Sequence, residues 1–165
     1  MIIFEDTRQQ AHKHDLKHRY FEAHGVKVVR QCLNVGDYTL PTNQSVCIDT
    51  KKGIKEVCQN LTSNKEEHDR FRGDCERAQE LGIRLIVLIE EDATDGNGRY
   101  AFNSVDDVCK WVNPRLKKYP RATTGVSLMK TMKTMNRKYG VEWMFCRSRD
   151  AGKIILELLG EAEDG

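Results

Sequence analysis

The chain has 165 residues, with 27 Lys and Arg against 25 Asp and Glu, for a formal net charge of +2. That length suits one domain with a core of its own, and so balanced a charge points by itself to no partner. No apolar run approaches the roughly 18 residues that span a membrane, and Glu5 and Asp6 bring acid too early for a secretory leader, so a cytoplasmic protein with no membrane partner is expected.

The six cysteines, Cys32, Cys47, Cys58, Cys75, Cys109 and Cys146, contain no Cys-x-x-Cys pair. Free thiols in a reducing cytosol are therefore expected, not disulfides or a structural zinc. Residues 2–5 read as a short buried strand. Residues 7–24 read as a helix, with Leu16 and Tyr20 as an i, i+4 apolar pair and Gly25 as its stop. His14 and His18 lie one helical turn apart, but among Lys13, Asp15, Lys17 and Arg19. That reads as a wet helix face, not a metal pair.

Residues 26–40 read as one strand, bent near Asn34 or Gly36. Residues 45–51 read as the next strand, joined to it in a hairpin. Residues 54–61 and 65–81 read as helices, the second closed by Gly82. Residues 84–90 are the clearest strand, an apolar run bounded by charge and suited to a sheet covered on both faces. Residues 92–98 form a turn-rich loop that lacks the glycine a calcium loop needs, since the sixth position from Asp95 is Tyr100. Residues 104–112 read as a short helix with Ser104 as N-cap and Asp107 three residues on. Pro114 and Pro120 mark an irregular basic segment.

Residues 127–139 read as a helix with Leu128, Met132, Met135 and Tyr139 on a core stripe and Lys130, Lys133 and Arg137 nearly opposite. Residues 141–146 read as a strand. Asp150 is placed to cap a last helix carrying Ile154, Ile155, Leu158 and Leu159, ended by Gly160 and followed by a frayed acidic tail, 161–165. This order of elements gives an α/β/α sandwich around a mixed sheet.

The chemistry rests on Asp37 and the triplet Asp49-Thr50-Lys51. The hairpin brings the two aspartates together, and strand pleating puts Asp49 and Lys51 on one face while Thr50 points away. Two carboxylates and a lysine suit metal-assisted cutting of a phosphodiester by Mg²⁺ or Mn²⁺. The lysine would orient the attacking water, or take its proton if its pKa were depressed. The same residues would also suit a solvated strand edge. From 108 to 141 there is no acidic residue, while Lys110, Arg115, Lys117, Lys118, Arg121, Lys130, Lys133, Arg137 and Lys138 fall inside that stretch. Such clustering suits a phosphate-binding surface, or a basic face that only aids solubility.

The stretch Leu33-Asn34-Val35-Gly36-Asp37-Tyr38-Thr39-Leu40 resembles the Gly-Asp-Tyr signature of the XPF family of structure-specific DNA endonucleases. Asp49-Thr50-Lys51 stands at its Glu-Arg-Lys motif, and Phe4-Glu5-Asp6-Thr7-Arg8-Gln9 resembles its opening Val-Asp-x-Arg-Glu strand. Residues 84–90 resemble its buried fourth strand, and 126–159 its closing helix, strand and helix. The chain departs from the family at Thr50, where the motif has Arg, and at Gln9, where it has Glu. It is expected to stand alone, without the tandem helix-hairpin-helix domain or the helicase.

The resemblance implies the restriction-endonuclease-like PD-(D/E)XK fold in a single nuclease domain, 1–165, with a loop-rich insertion at 92–124. It implies that Asp37 and Asp49 ligate Mg²⁺ or Mn²⁺, that Lys51 positions water, and that Asp6 supports the site from the next strand. Arg8, Arg115, Lys117, Lys118, Lys130, Lys133 and Arg137 would meet DNA. The expected partner is branched or flap DNA, or a junction of single and double strand, with a homodimer allowed. Two alternatives are a DNA-binding module that has lost catalysis and a junction resolvase or restriction-like nuclease of the same superfamily.

Overall fold

The computed structural model describes residues 1–10, 12–62 and 64–164, with side chains described through 162. Its strands are β1 (Ile2–Asp6), β2 (Lys27–Gln31), β3 (Tyr38–Thr39), β4 (Val46–Lys51), β5 (Arg84–Glu90) and β6 (Glu142–Cys146). Its α-helices are α1 (Asp15–Ala23), α2 (Ile54–Thr62), α3 (Lys65–Glu80), α4 (Gly125–Tyr139) and α5 (Ala151–Asp164). The sheet runs β2-β1-β3-β4-β5-β6. β1 and β2 are parallel, β3 runs antiparallel to β1 and β4, and β4, β5 and β6 are parallel to one another. This is the expected mixed sheet.

β5 explains the three layers. Leu85, Val87 and Ile89 face a core built with α2, α3 and α4, while Ile86 and Leu88 face a second core built with α1 and α5. A strand buried on both sides must be apolar at every position, which is how 84–90 reads in the sequence. Each fully buried Val, Leu or Ile contributes about 1.5–3 kcal/mol, so this strand anchors both faces.

The structure departs from the sequence reading in four places. Residues 7–8 and 12–14 are turns and 9–10 are irregular, not helix; His12 sits in the left-handed region at φ 64°, and Gln9 and His14 turn inward to the site described below. Within α1, Leu16 is 54% exposed, while Lys17 and Phe21, and His14 just before the helix, are buried. Of the wet face expected around His14, Asp15, His18 and Arg19 are exposed, but His14 and Lys17 turn inward. Lys17 is buried because its ammonium meets both carboxylate oxygens of Glu90, at 2.9 and 2.8 Å. That partner comes from the end of β5, 73 residues away, and no local pattern shows it.

Residues 26–40 form two strands, not one. β2 lies outside β1 and β3 lies on its other side, so the chain crosses the end of β1 between Gln31 and Tyr38. Finally, α5 runs through Gly160 to Asp164. Asn43 donates to the Ala162 carbonyl at 2.8 Å, and Ala162 packs on the α1–α5 core, which holds the helix beyond the glycine. Of the expected frayed tail, 161–164 is helical and Gly165 lies outside the described residues. Asp150 ends a 3-10 turn, Ser148–Asp150, that leads straight into α5.

The insertion 92–124 carries a bridge between Thr94 and Tyr100 and 3-10 turns at Val105–Lys110 and Pro114–Lys117. The expected capping box of Ser104 and Asp107 is formed. The six cysteines are free thiols. Among the described residues no helix is long and apolar enough to cross a membrane.

The buried Lys17–Glu90 pair makes a stability prediction. Lys17→Met strands a buried carboxylate, so urea unfolding should show a loss of about 3–5 kcal/mol. The double change Lys17→Met with Glu90→Leu should recover most of that loss. Equal losses in the single and double variants would mean that the pair's charge is not what matters.

Candidate active site

Asp37 stands one residue before β3, just after Gly36 turns the chain at φ 73°. A side chain at Gly36 would also meet the Ile48 carbonyl oxygen at 3.1 Å, so both conformation and space call for glycine. The Asp37 amide donates to the Ile48 carbonyl at 2.7 Å, and its carbonyl accepts the Asp6 amide at 2.8 Å. Its backbone thus ties the end of β1 to β4.

Beyond Asp37 the chain has turned away, and β4 has lost its neighbour. The Asp37 carboxylate takes over as acceptor. Its Oδ2 receives the Thr50 amide at 2.8 Å and the Thr50 hydroxyl at 2.5 Å. Its Oδ1 receives the Gln9 Nε2. Thr50 therefore does not point away from the site, as pleating alone suggested; its hydroxyl reaches Asp37 from the edge of the strand.

The chain of contacts continues outward. The Gln9 Oε1 is paired with the His14 Nε2. An amide oxygen can only accept, so the ring nitrogen donates and Nδ1 is left as the bare acceptor. That Nδ1 is buried with no partner among the described residues. Burial first, then the charges of Lys17 and His18, push the His14 ring down to about 3, so it is a neutral imidazole.

Asp49 and Lys51 do share a face, as expected. Their side chains form an ion pair at 2.9 Å, and the Lys51 ammonium lies 5.8 Å from the centre of the Phe71 ring. Burial first, then the Asp49 charge, push the Asp37 carboxyl up to about 7, against the pull of Thr50 and Lys51. Burial would push Lys51 down, but the charge and hydrogen bond of Asp49, followed by Asp37, more than offset it and leave its pKa above the ordinary value. The lowered pKa that Lys51 would need to take a proton from water is not what this arrangement gives.

Asp6 does not reach this cluster with its side chain. Its oxygens take the Arg8 Nε at 2.7 Å and the Leu33 amide at 3.1 Å. Arg8 also donates to the Leu33 carbonyl at 3.0 Å. Together they pin the crossover from β2 to β3, and Asp6 supports Asp37 through its backbone amide.

The basic residues divide. Lys52 and Lys55 flank the site on α2 and the turn before it, sharing a cleft with Gln10, His12 and Lys13. Arg115 shares a neighbouring cavity with Lys55. Arg70 shares a small cavity with Lys51. Sequence reasoning did not single out Lys52, Lys55 or Arg70, because isolated cations on helices look like solvated charge. Lys117 and Lys118 are exposed, and Lys118 lies beside Tyr119, 5.6 Å from its ring centre. On α4, Lys130 and Arg137 are exposed, but Lys133 is paired with Asp106 at 2.5 Å. Lys133 also lines a cavity with Arg84 and Glu142, the first residues of β5 and β6. Lys51 pairs with Ile89 near the other end of β5, about 16 Å away at ~3.3 Å per residue. The structure does not bring Lys133 to Asp49 and Lys51.

A family model described as the ERCC4 domain matches residues 6–158. Among solved structures, XPF from Aeropyrum pernix is similar with a TM-score of 0.66 at 17% identity, over 99% of this chain and 65% of that one. XPF from Aeropyrum pernix in complex with DNA gives a TM-score of 0.64 at 18% identity, again over 99% of this chain and 65% of that one. The chain thus spans 65% of the length of these XPF chains, and the likeness is one of fold. No curated protein matches it.

The raised Asp37 pKa predicts a pH signature. The folded state holds this proton more tightly than the unfolded chain does. The resulting stability is fully present below the ordinary value of 3.8 and is lost as pH rises through about 7. His14 works in the opposite sense, losing stability as pH falls from 6.5 towards about 3. In excess chelator, the stability difference between wild type and Asp37→Asn should therefore grow as pH falls from about 8 to about 5. Urea unfolding at fixed ionic strength reads this. A flat difference would mean that Asp37 ionises like an ordinary carboxylate.

Proposed function

The chain belongs to the ERCC4 domain family, the family of XPF-type nuclease domains, and on that premise we propose that it is a metal-dependent endonuclease. Its substrate in this reading is DNA with a branch, a flap or a junction of single and double strand, and its work DNA repair or recombination. Residues 1–165 act as one nuclease domain, as a monomer or as a homodimer. The observation that carries the reading is the hairpin cluster of Asp37, Asp49 and Lys51.

Among the described residues no group of three or more His, Cys, Asp or Glu could hold a metal ion. A closed cage of the structural-zinc type is thus not built from them. Two neighbouring carboxylates instead suit Mg²⁺ or Mn²⁺, which keep several waters and take phosphate oxygens as further ligands. Asp37 supports the fit, since its burial beside Asp49 raises its pKa and a cation would offset both effects. Asp37 and Asp49 would hold the ion. Bound there, it would activate water and neutralise charge growing on the phosphate.

The chain's own residues do the rest. Lys51, fixed as a cation against Asp49, meets negative charge as it develops on the phosphoryl oxygens. Thr50 and Gln9 keep the Asp37 carboxylate from rotating. Asp6 holds Asp37 from β1. Lys52, Lys55, Arg70 and Arg115 form the near rim for the DNA backbone, with Arg8, Lys117 and Lys118 beside it. Lys130 and Arg137, with Lys133, offer an outer path over α4.

Cleavage of linear, flap and four-way DNA tests the proposal. Activity should require Mg²⁺ or Mn²⁺ and vanish in Asp37→Asn and in Asp49→Asn. Lys51→Ala should still bind DNA but cut about 10²–10³-fold more slowly in single turnover, the usual effect of losing one charge-stabilising donor. Cutting in excess chelator, or full activity in either Asn variant, would overturn the assignment.

The DNA path has its own test. Each phosphate contact contributes about 0.9 to the log–log salt slope on duplex DNA. Removing Lys52, Lys55 and Arg115 should flatten the slope by roughly 2–3, alike for every sequence. Removing Lys130, Lys133 and Arg137 should flatten it by about 2, because Lys133 already has a partner. No change in the second variant would keep the DNA off α4.

A further inference from the structure

We infer that the cavity between α2 and the insertion is a binding site for one unpaired nucleotide of the DNA. The inference rests on the DNA-cutting reading above and adds a place on the enzyme for the non-duplex part of its substrate.

The cavity measures about 280 Å³. Its walls carry Trp111 and Tyr119, with the cations Lys55, Arg115 and Arg121 around them. No acidic residue lines it. Among the described residues none of these three cations has an ion-pair partner, and all are exposed. The aromatic walls are of two kinds. Trp111 is partly buried and packs on the α2–α4 core, so it is fixed. Tyr119 is 48% exposed and lies among charge, with the Arg115 guanidinium 5.2 Å and the Lys118 ammonium 5.6 Å from its ring centre.

The wall is backed by rigid structure. A Cβ on Gly125, the first residue of α4, would lie 2.4 Å from the Trp111 carbonyl oxygen and 2.5 Å from that of Val108. Only glycine lets the helix press so closely on the turn that carries Trp111.

The polar groups of the floor are mostly engaged with one another. Asn113 donates to the Thr123 carbonyl at 2.9 Å and accepts the Arg115 amide at 3.0 Å. Thr62 donates to the Cys58 carbonyl at 2.7 Å. A site of this make-up offers ring faces and positive charge, with little to read a base edge. It fits a base held by stacking next to its anionic phosphate, with little sequence preference. Its volume lies just below the roughly 300–1,000 Å³ of sites for larger ligands. A base inside a duplex has both faces stacked and its edge paired, so it cannot enter without being flipped out. An unpaired base can.

The position suits this role. Lys55 and Gln59, one helical turn apart on α2, line both this cavity and the cleft that holds Lys52. Lys52 follows Lys51. Lys52 and Lys55 therefore lead from the Asp49–Lys51 pair to the cavity along one helix, where one turn covers about 5.4 Å, and Glu56, which also lines the cleft, is paired with Lys13 at 3.4 Å. A strand leaving a duplex at the site would have its first unpaired nucleotides beside this cavity.

The test compares two DNAs bound by the full chain in chelator, read by fluorescence anisotropy. One is a duplex with a single-stranded thymidine extension. The other has the same extension with abasic sugars, which keeps the phosphates and removes the rings. Wild type should bind the first about tenfold more tightly, the size of one aromatic stack. Tyr119→Ala should bring that ratio close to one, and Tyr119→Phe should restore it. Equal affinity for the two DNAs, or an unchanged ratio in Tyr119→Ala, would overturn the site. The assay needs no chemistry. A protein that cuts DNA but shows a ratio of one refutes the cavity alone, whereas one that keeps the ratio but cuts nothing refutes the nuclease reading alone. A protein that binds neither DNA refutes both.

Discussion

The Asp37 carboxylate does two jobs, and the rest of the site follows from that. It replaces a missing strand as the acceptor for Thr50, and it lies close enough to Asp49 to feel its charge. An acceptor that must stay buried resists ionisation; a neighbour of like charge strengthens the resistance. The protein offsets this with donors. Thr50 supplies an amide and a hydroxyl, Gln9 an amide nitrogen, and Lys51 a nearby cation. The carboxylate is thereby fixed in orientation before any ligand arrives, which is the condition for a preorganised site.

Two of the positions where the chain departs from the family's motifs, Gln9 and Thr50, meet on Asp37. Their replacements are therefore coupled through one carboxylate and are not independent losses. Gln9 is held in turn by His14. If Gln9 rotated its amide, it would present its oxygen to Asp37 and its nitrogen to the His14 ring. The ring would then need its proton on Nδ1, the atom that now lacks a partner. The flipped arrangement would also need a proton on Asp37 to meet the Gln9 oxygen, and it would leave a buried Nδ1–H with no acceptor among the described residues, so the arrangement with the His14 proton on Nε2 is the satisfied one.

Much of this was legible in the sequence where the cause was local. β5 announced itself because double burial demands an unbroken apolar run. Asp49 and Lys51 share a face because pleating has a period of two. The Gly36-Asp37-Tyr38 wording led to the right family because the glycine answers a local demand, the turn and the close approach to Ile48. Where the cause was distant, the reading failed. Lys17 looks solvated until Glu90 is brought to it. Residues 7–14 look helical until Asp37 draws Gln9 inward. Gly160 looks like a stop until Asn43 reaches Ala162.

The basic stretch shows the same limit in a form that bears on function. From 108 to 141 the charges form one acid-free run in sequence. Folding divides it. Arg115 and Arg121 line a cavity with Lys55 of α2, while Lys133 lines one with the first residues of β5 and β6. A count of charges along the chain cannot show this, because the division is made by the fold of the insertion and by the direction of α4. Asp106, just outside the run, neutralises Lys133 from across the interface with the first 3-10 turn. Electrostatic attraction decays over about 8–10 Å at physiological salt, and the far end of the sheet lies about 16 Å from Lys51 at ~3.3 Å per residue. In the proposed reading the α4 charges would thus meet a different stretch of DNA than the phosphate being cut. In the same reading the charges that would bear on that phosphate are Lys51, Lys52, Lys55 and Arg70, brought together by β4, α2, the turn between them and α3.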